Sequence, residues 1–258
     1  MSKVLIACWY LCLVVGSNRG HSETIRVAAV DWCPQICVDK ALPGFVIETI
    51  RMIFKDSPYE LDIEMYPWTR SINMVKAGEA HALLAPVKSE APNLLYPEHA
   101  LGLQKMCFWT RADSKWRYTN IDSLKNKQIG FAYDITIAEL SHFMANNQDK
   151  FQLMSFNHEY ISKNMKKLEF GWIDTFLLSY NFAMHELKSM KVKWQVRLAG
   201  CLTAERFYMA FAPQSRHPKK IAHMMKYFDL KMAEDSSRKK IALIMERYGL
   251  PDWQAVKE

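Results

Sequence analysis

Two cysteines, Cys33 and Cys37, follow a short apolar run in the stretch "VAAVDWCPQICVDK". Thiols placed this way have three chemistries open to them: a metal hook, a redox pair, or a disulfide that staples a loop. The spacing is longer than the Cys-x-x-Cys of thioredoxin-like redox centres, so that motif fails. Around the chain lie residues better suited to holding a molecule than to transforming one. Asp31 and Trp32 precede the first cysteine, and Trp68 and Arg70 sit where a helix should start. Pro86 and Lys88 end an apolar run, and Tyr133, Asp134 and Thr136 join a strand-like run to a helix-like one. Tryptophan offers a broad apolar face, arginine a two-pronged clamp for carboxylate or phosphate, and a helix start offers unpaired N–H groups. Taken singly, Trp68 reads equally well as core, Arg70 as a surface ion pair and Thr136 as a helix cap. As a set they have the make-up of a polar small-molecule pocket.

Catalytic and metal motifs are missing. The eight histidines are spread out, and none falls into HExxH or a comparable ligand spacing. GxSxG, Walker and GxGxxG patterns are absent. We therefore expect no metal, no cofactor and no enzymatic activity.

The elements that must position these residues can be read from periodicity. The chain has 258 residues, half hydrophobic and a quarter charged, enough for one large domain or two ordinary ones. Lys3 followed by the uncharged run Val4–Val15 and the small pair Gly16–Ser17 reads as an export signal, residues 1–17. The run is too short to span the ~30 Å core of a bilayer. Removing it takes one charge, Lys3, from a formal net charge of +7 and leaves Cys33, Cys37, Cys107 and Cys201. An even number of cysteines in an oxidising compartment such as the periplasm favours disulfides, with three pairings open. The basic residues are scattered or lie on helical faces, as in Lys163, Lys166 and Lys167, without interleaved aromatics. Nucleic acid is excluded as a partner.

"TIRVAAVDW" alternates as a strand, "PGFVIETIRMIFKD" has helical spacing, "YELDIEMYP" alternates again, a helix runs from Pro67 to Gly78, and "AHALLAPV" is a short apolar strand. A second block repeats the order through "KMCFWTRAD", "KQIGFAYD", "TIAELSHFMANN", "FQLMSF", "SKNMKKLEFG", "WIDTFLLS", "FAMHELKSM" and "VKWQVRLAG". "ERFYMAFAP" and two helices close the chain. The pattern is that of open α/β sheets, whose ligands sit beyond the carboxyl ends of the strands. No Gly/Ser- or Pro-rich linker separates the blocks, so strands must join them.

In this order the segments "IRVAAVDWCP", "LPGFVIETI", "YPWTRSINMVKAGEAHALLAPV", "LYPEHALGLQKMCFWTRADSKW", "LKNKQIGFAYDIT", "LEFGWIDTFLL" and "ERFYMAFAP" resemble periplasmic solute-binding proteins of the type II fold. The likeness is to family 3, the group that includes polar amino-acid receptors of ABC transporters, and it covers nearly all of the mature chain. It implies an α/β fold of two lobes, each an open mixed sheet flanked by helices. Lobe 1 would be residues 24–105 and 211–258, and lobe 2 residues 106–210, with "KMCFWTR" and "ERFYMAFAP" as hinge strands and a ligand cleft between the lobes. It further implies a monomer that closes on a small polar or aromatic solute and serves an ABC permease or a membrane sensor. In such a protein Cys33–Cys37 would staple the loop that carries Asp31 and Trp32, and Cys107–Cys201 would be a second bond.

Three departures stand out. The family's arginine after the third strand is missing from "APVKSEAPNLLYP", leaving Lys88 as the nearest cation. The family's aspartate beyond the "G-x-x-D-A" strand falls near Ser179, and its Gly-x-x-Asp turn becomes "GEAHA", with His81 in the acid's place. Loss of both charged anchors argues against an ordinary α-amino acid, because a buried ligand charge needs a partner. The alternatives are an enzyme on the same fold, similar to cyclohexadienyl dehydratase, and a regulatory module that has lost its ligand.

Overall fold

The computed structural model describes residues 23–39, 41–133, 135–156, 159–189 and 196–255, apart from the side chains of Lys188 and Ser189. The expected export segment and Asp134 lie outside these residues.

The first sheet contains β1 (Glu23–Ala29), β2 (Tyr59–Met65), β3 (Ala82–Val87), β4 (Gly102–Gln104) and β10 (Glu205–Phe211) in the order β2-β1-β3-β10-β4. β1 runs parallel to β2 and β3, while β10 is antiparallel to β3 and β4. Its helices are α1 (Phe45–Phe54), α2 (Trp68–Lys76), α6 (Pro218–Ala233) and α7 (Asp235–Arg247). Side chains alternate across a strand: Ile25, Val27 and Ala29 of β1 enter the core under α1, α6 and α7, and Ala28 enters the core beside α2. Both faces of the sheet are covered, and so β3, "ALLAPV", is buried at every position.

The second sheet contains β5 (Met106–Arg111), β6 (Ile129–Ala132), β7 (Phe151–Met154), β8 (Thr175–Ser179) and β9 (Val196–Cys201), ordered β7-β6-β8-β5-β9. Helix α3 (Ala138–Asn146) covers one face, and α4 (Tyr160–Glu169) and α5 (Tyr180–Ser189) cover the other. The described architecture is thus two mixed five-stranded sheets, each flanked by helices.

The chain passes between the sheets twice, at Lys105 and at residues 202–204. β10 pairs with β3 and β4 from Glu205 onward, which places residues 205–210 in the first sheet rather than in lobe 2. "ERFYMAFAP" therefore lies beyond the crossing instead of spanning it. β4 carried no periodic signal because it is three residues long. A Cβ on its Gly102 would collide with the ring of Phe207.

Disulfides join Cys33 to Cys37 and Cys107 to Cys201. The first closes the loop after β1, in which Trp32 and Ile36 form a two-residue bridge. That loop also finishes α1. Carbonyls of Pro34 and Gln35 accept the N–H groups of Phe45 and Val46 at 3.0 and 2.9 Å, donors that a helix start otherwise leaves open. Gly44 makes this approach possible: its φ is +100°, and a Cβ there would strike the Gln35 backbone.

Candidate functional site

A cavity of about 100 Å³ opens between the two sheets. Its walls come mainly from the carboxyl ends of the parallel strands in both, as expected for open α/β sheets, with the start of the antiparallel β5 joining them. From the first sheet's side come Asp31 and Trp32 after β1, Trp68 at the start of α2, Ala85 in β3, and Gln104 at the end of β4. Across from them are Met106 of β5, Ala132 at the end of β6, Phe156 after β7, and Leu177, Leu178 and Ser179 of β8. Val30, Ile135 and Glu90 complete the lining.

The walls are mainly apolar and aromatic. Trp32 meets Phe207 edge-on at 5.8 Å, and Phe156 leans on Tyr160 and Phe182 at 5.4 and 5.1 Å. Contacts of this kind hold the rings at fixed angles. Ala85 has a left-handed backbone, φ +62°, where β3 and β10 slip register. An alanine in this region is locally strained, a feature that clusters at ligand sites.

Few polar groups reach the cavity. Ser179 is 4% exposed, and its Oγ has no hydrogen-bond partner among the described residues. Glu90 is held by the turn after β3, where its N–H donates to the Val87 carbonyl at 3.2 Å. Burial pushes its carboxyl up to about 7; a backbone hydrogen bond from Val87 opposes the rise, and nearby Glu205 adds to it. Burial and the negative charge of Glu90 also raise the Tyr96 phenol.

Four of the expected site residues meet at this cavity: Asp31, Trp32, Trp68 and Ser179. The others stand elsewhere. Arg70 lies over the ring of Tyr66 at 5.0 Å and borders a separate surface groove with Pro67, Thr69 and Asn73. The reason is helical geometry: two positions past Trp68 is about 200° around the axis, so if Trp68 faces the cleft, Arg70 faces away. Lys88 is exposed, and its Nζ sits over the rings of Tyr208 and Tyr96 at 4.9 and 5.7 Å. Pro86 is buried within β3 without lining the cavity. Tyr133 is 63% exposed, and its hydroxyl accepts from Ser155 Oγ at 3.0 Å. Thr136 is exposed ahead of α3, whose cap position is Ile137. Asp134 falls outside the described residues.

Glu90 and Gln104 are the functional candidates that sequence reading missed. In the sequence Glu90 is an acid in the run after Lys88, and only the turn folds it inward. Among the described residues no group of three or more His, Cys, Asp or Glu could hold a metal ion.

No family model and no curated protein matches this chain. Solved structures do match. A histidine kinase sensor domain with similarity to periplasmic binding proteins aligns at TM-score 0.68 and 15% identity, over 91% of this chain and all of that one. A structure from work on glutathione import by GshT and the cystine ABC importer TcyBC of Streptococcus mutans aligns at TM-score 0.72 and 15% identity, over 90% of this chain and 97% of that one. The GluR0 ligand-binding core from Nostoc punctiforme, in complex with L-glutamate, aligns at TM-score 0.64 and 15% identity, over 88% of this chain and all of that one. With its two mixed sheets and their connections, the chain has the two-lobed type II fold of periplasmic binding proteins.

Proposed function

We propose that this protein is an extracytoplasmic binding protein that captures a small solute in the cleft between its sheets and closes on it by rotation at the two crossings. The observation that carries this reading is the cavity itself, an apolar enclosure at the strand ends whose walls come from both sheets. Two disulfides support residence outside the cytoplasm. The named neighbours include an importer-related structure and a kinase sensor domain, which supports delivery to an ABC permease or signalling through a membrane sensor as the downstream step.

Glu90 supports a second reading, an enzyme on this fold. A carboxyl lifted to about 7 is suited to acid–base work. Against a dehydratase of prephenate-like acids stands the lining, whose described residues include no Lys, Arg or His for a carboxylate substrate. Thermal melting of the mature chain against a metabolite panel tests the binding reading. A ligand at one hundred times its dissociation constant stabilises by about 2.7 kcal/mol, a shift of several degrees. A panel without any shift counts against binding, and turnover of prephenate-like acids would favour the enzyme.

A further inference from the structure

The charges around the cleft are lopsided. Among the described residues two carboxylic acids, Asp31 and Glu90, line it, and no Lys, Arg or His does. Neither carboxylate makes an ion pair among the described residues. The cations expected to serve the site are engaged elsewhere: Arg70 over Tyr66, and Lys88 over Tyr96 and Tyr208. An anionic ligand head would be desolvated against two acids, with no cation among the described lining residues to compensate it. An ammonium group would find partners instead. Its N–H donors could be taken by Asp31, by Glu90, by the side-chain carbonyl of Gln104, and by Ser179 Oγ, which is buried in the lining and unpartnered. Trp32, Trp68 and Phe156 supply faces for an apolar body and for cation–π attraction. The cavity of about 100 Å³ is smaller than the ~150 Å³ that takes a benzene ring, so the body is short or the lobes part to admit it.

Resting on the binding reading above, we propose that the cleft takes a small organic amine: a single ammonium on a short apolar body, without a carboxylate. This class is narrower than small polar or aromatic solutes in general, and it excludes amino acids. A consequence concerns protons. Glu90 faces Glu205 of β10, the Tyr96 phenol and the backbone of Val87, with Asp31 on the same cavity. Its carboxyl holds a proton over much of the range below 7, and an arriving ammonium would expel that proton. Amine binding near pH 7 therefore releases protons and weakens as the pH falls.

Titration calorimetry of the mature chain at pH 8 tests this with isobutylamine, isopentylamine and phenethylamine. The matched controls are valine, leucine and phenylalanine, together with isovalerate and isopentanol. We expect at least one amine to bind, with its amino-acid counterpart weaker by about a hundredfold. Asp31→Asn and Glu90→Gln should each weaken the amine about tenfold or more. Glu90→Gln should also remove the proton release, read at pH 7 from buffers of different ionisation enthalpy. Binding of valine, isovalerate or isopentanol with the amines silent overturns the amine inference and leaves the cleft reading standing. So does amine affinity unchanged in both variants. Silence of every probe also overturns the amine inference, and native mass spectrometry of freshly purified protein then decides the cleft reading. A retained small molecule keeps that reading, and bare protein removes it.

Discussion

Glu90 carries a desolvation cost that a cation beside it would relieve. Its folded pKa lies above the ordinary carboxylate value, so the folded state favours the protonated form. The stability this represents is present in acid and is lost as pH rises through the ordinary carboxylate range to about 7. Ionised Glu90 then opposes folding by about 3 kcal/mol. Glu90→Gln should accordingly be the more stable protein in urea unfolding at pH 8 and equal to the parent near pH 4. A constant difference at both pH values would show that Glu90 is not desolvated. The neighbouring aromatic and basic residues give a second contrast. Trp68→Ala should weaken ligand binding about tenfold or more, since it removes a wall of the cavity, while Arg70→Ala should leave affinity unchanged. A loss of binding in Arg70→Ala would return that residue to the site. Residue types and strand-end positions mark Asp31, Trp32 and Trp68 as cleft candidates, and the resemblance adds Ser179. They could not say that Arg70 turns away or that Glu90 turns in, because each depends on a side chain's direction within a helix or turn. His81 illustrates the same limit: its Nδ1 accepts the N–H of Arg26 at 3.0 Å, so an imidazole stands where an acid was expected, without any role at the cleft.

The two disulfides act on different elements and should separate when removed. Cys33–Cys37 closes a short loop, which by chain entropy contributes about 2 kcal/mol, whereas Cys107–Cys201, 94 positions apart, contributes about 4–5 kcal/mol. Binding should rank the other way. The short loop carries Asp31 and Trp32 into the cavity and caps α1, while the longer bond ties β5 to β9. A Cys33→Ser, Cys37→Ser double variant should lose more ligand affinity than stability, and the Cys107→Ser, Cys201→Ser variant the reverse. Calorimetry and urea unfolding on both variants check the ranking, and equal losses in both measurements would refute it. The elements themselves were largely readable in the chain. Strands such as "TIRVAAV" alternate and α1 repeats its apolar residues because each packs one face on a core. β4 was not readable, since three residues paired with β10 are too few to show a period.

At the scale of the molecule, the two sheets are joined through a narrow neck. Lys105 and residues 202–204 cross side by side. On the first sheet's side Gln104 pairs with Glu205, and on the second's side the Cys107–Cys201 bond joins the strands. Between these ties the Leu202 N–H donates to the Met106 carbonyl at 2.8 Å, and the Thr203 N–H donates to Glu139 of α3 at 3.0 Å. A neck tied at both ends can bend but cannot let the lobes drift apart. This is why the two blocks need no flexible linker, a feature visible in the sequence, although the return crossing falls earlier than the resemblance implied. Since the cavity has walls on both sides of the neck, a ligand that contacts both gains most when they approach. The radius of gyration from small-angle scattering should therefore fall when a bound amine reaches saturation, and Trp68→Ala should need proportionally more ligand for the same fall. An unchanged scattering profile at saturation would mean that the ligand rests on one lobe, and the rotation would then have no driving force.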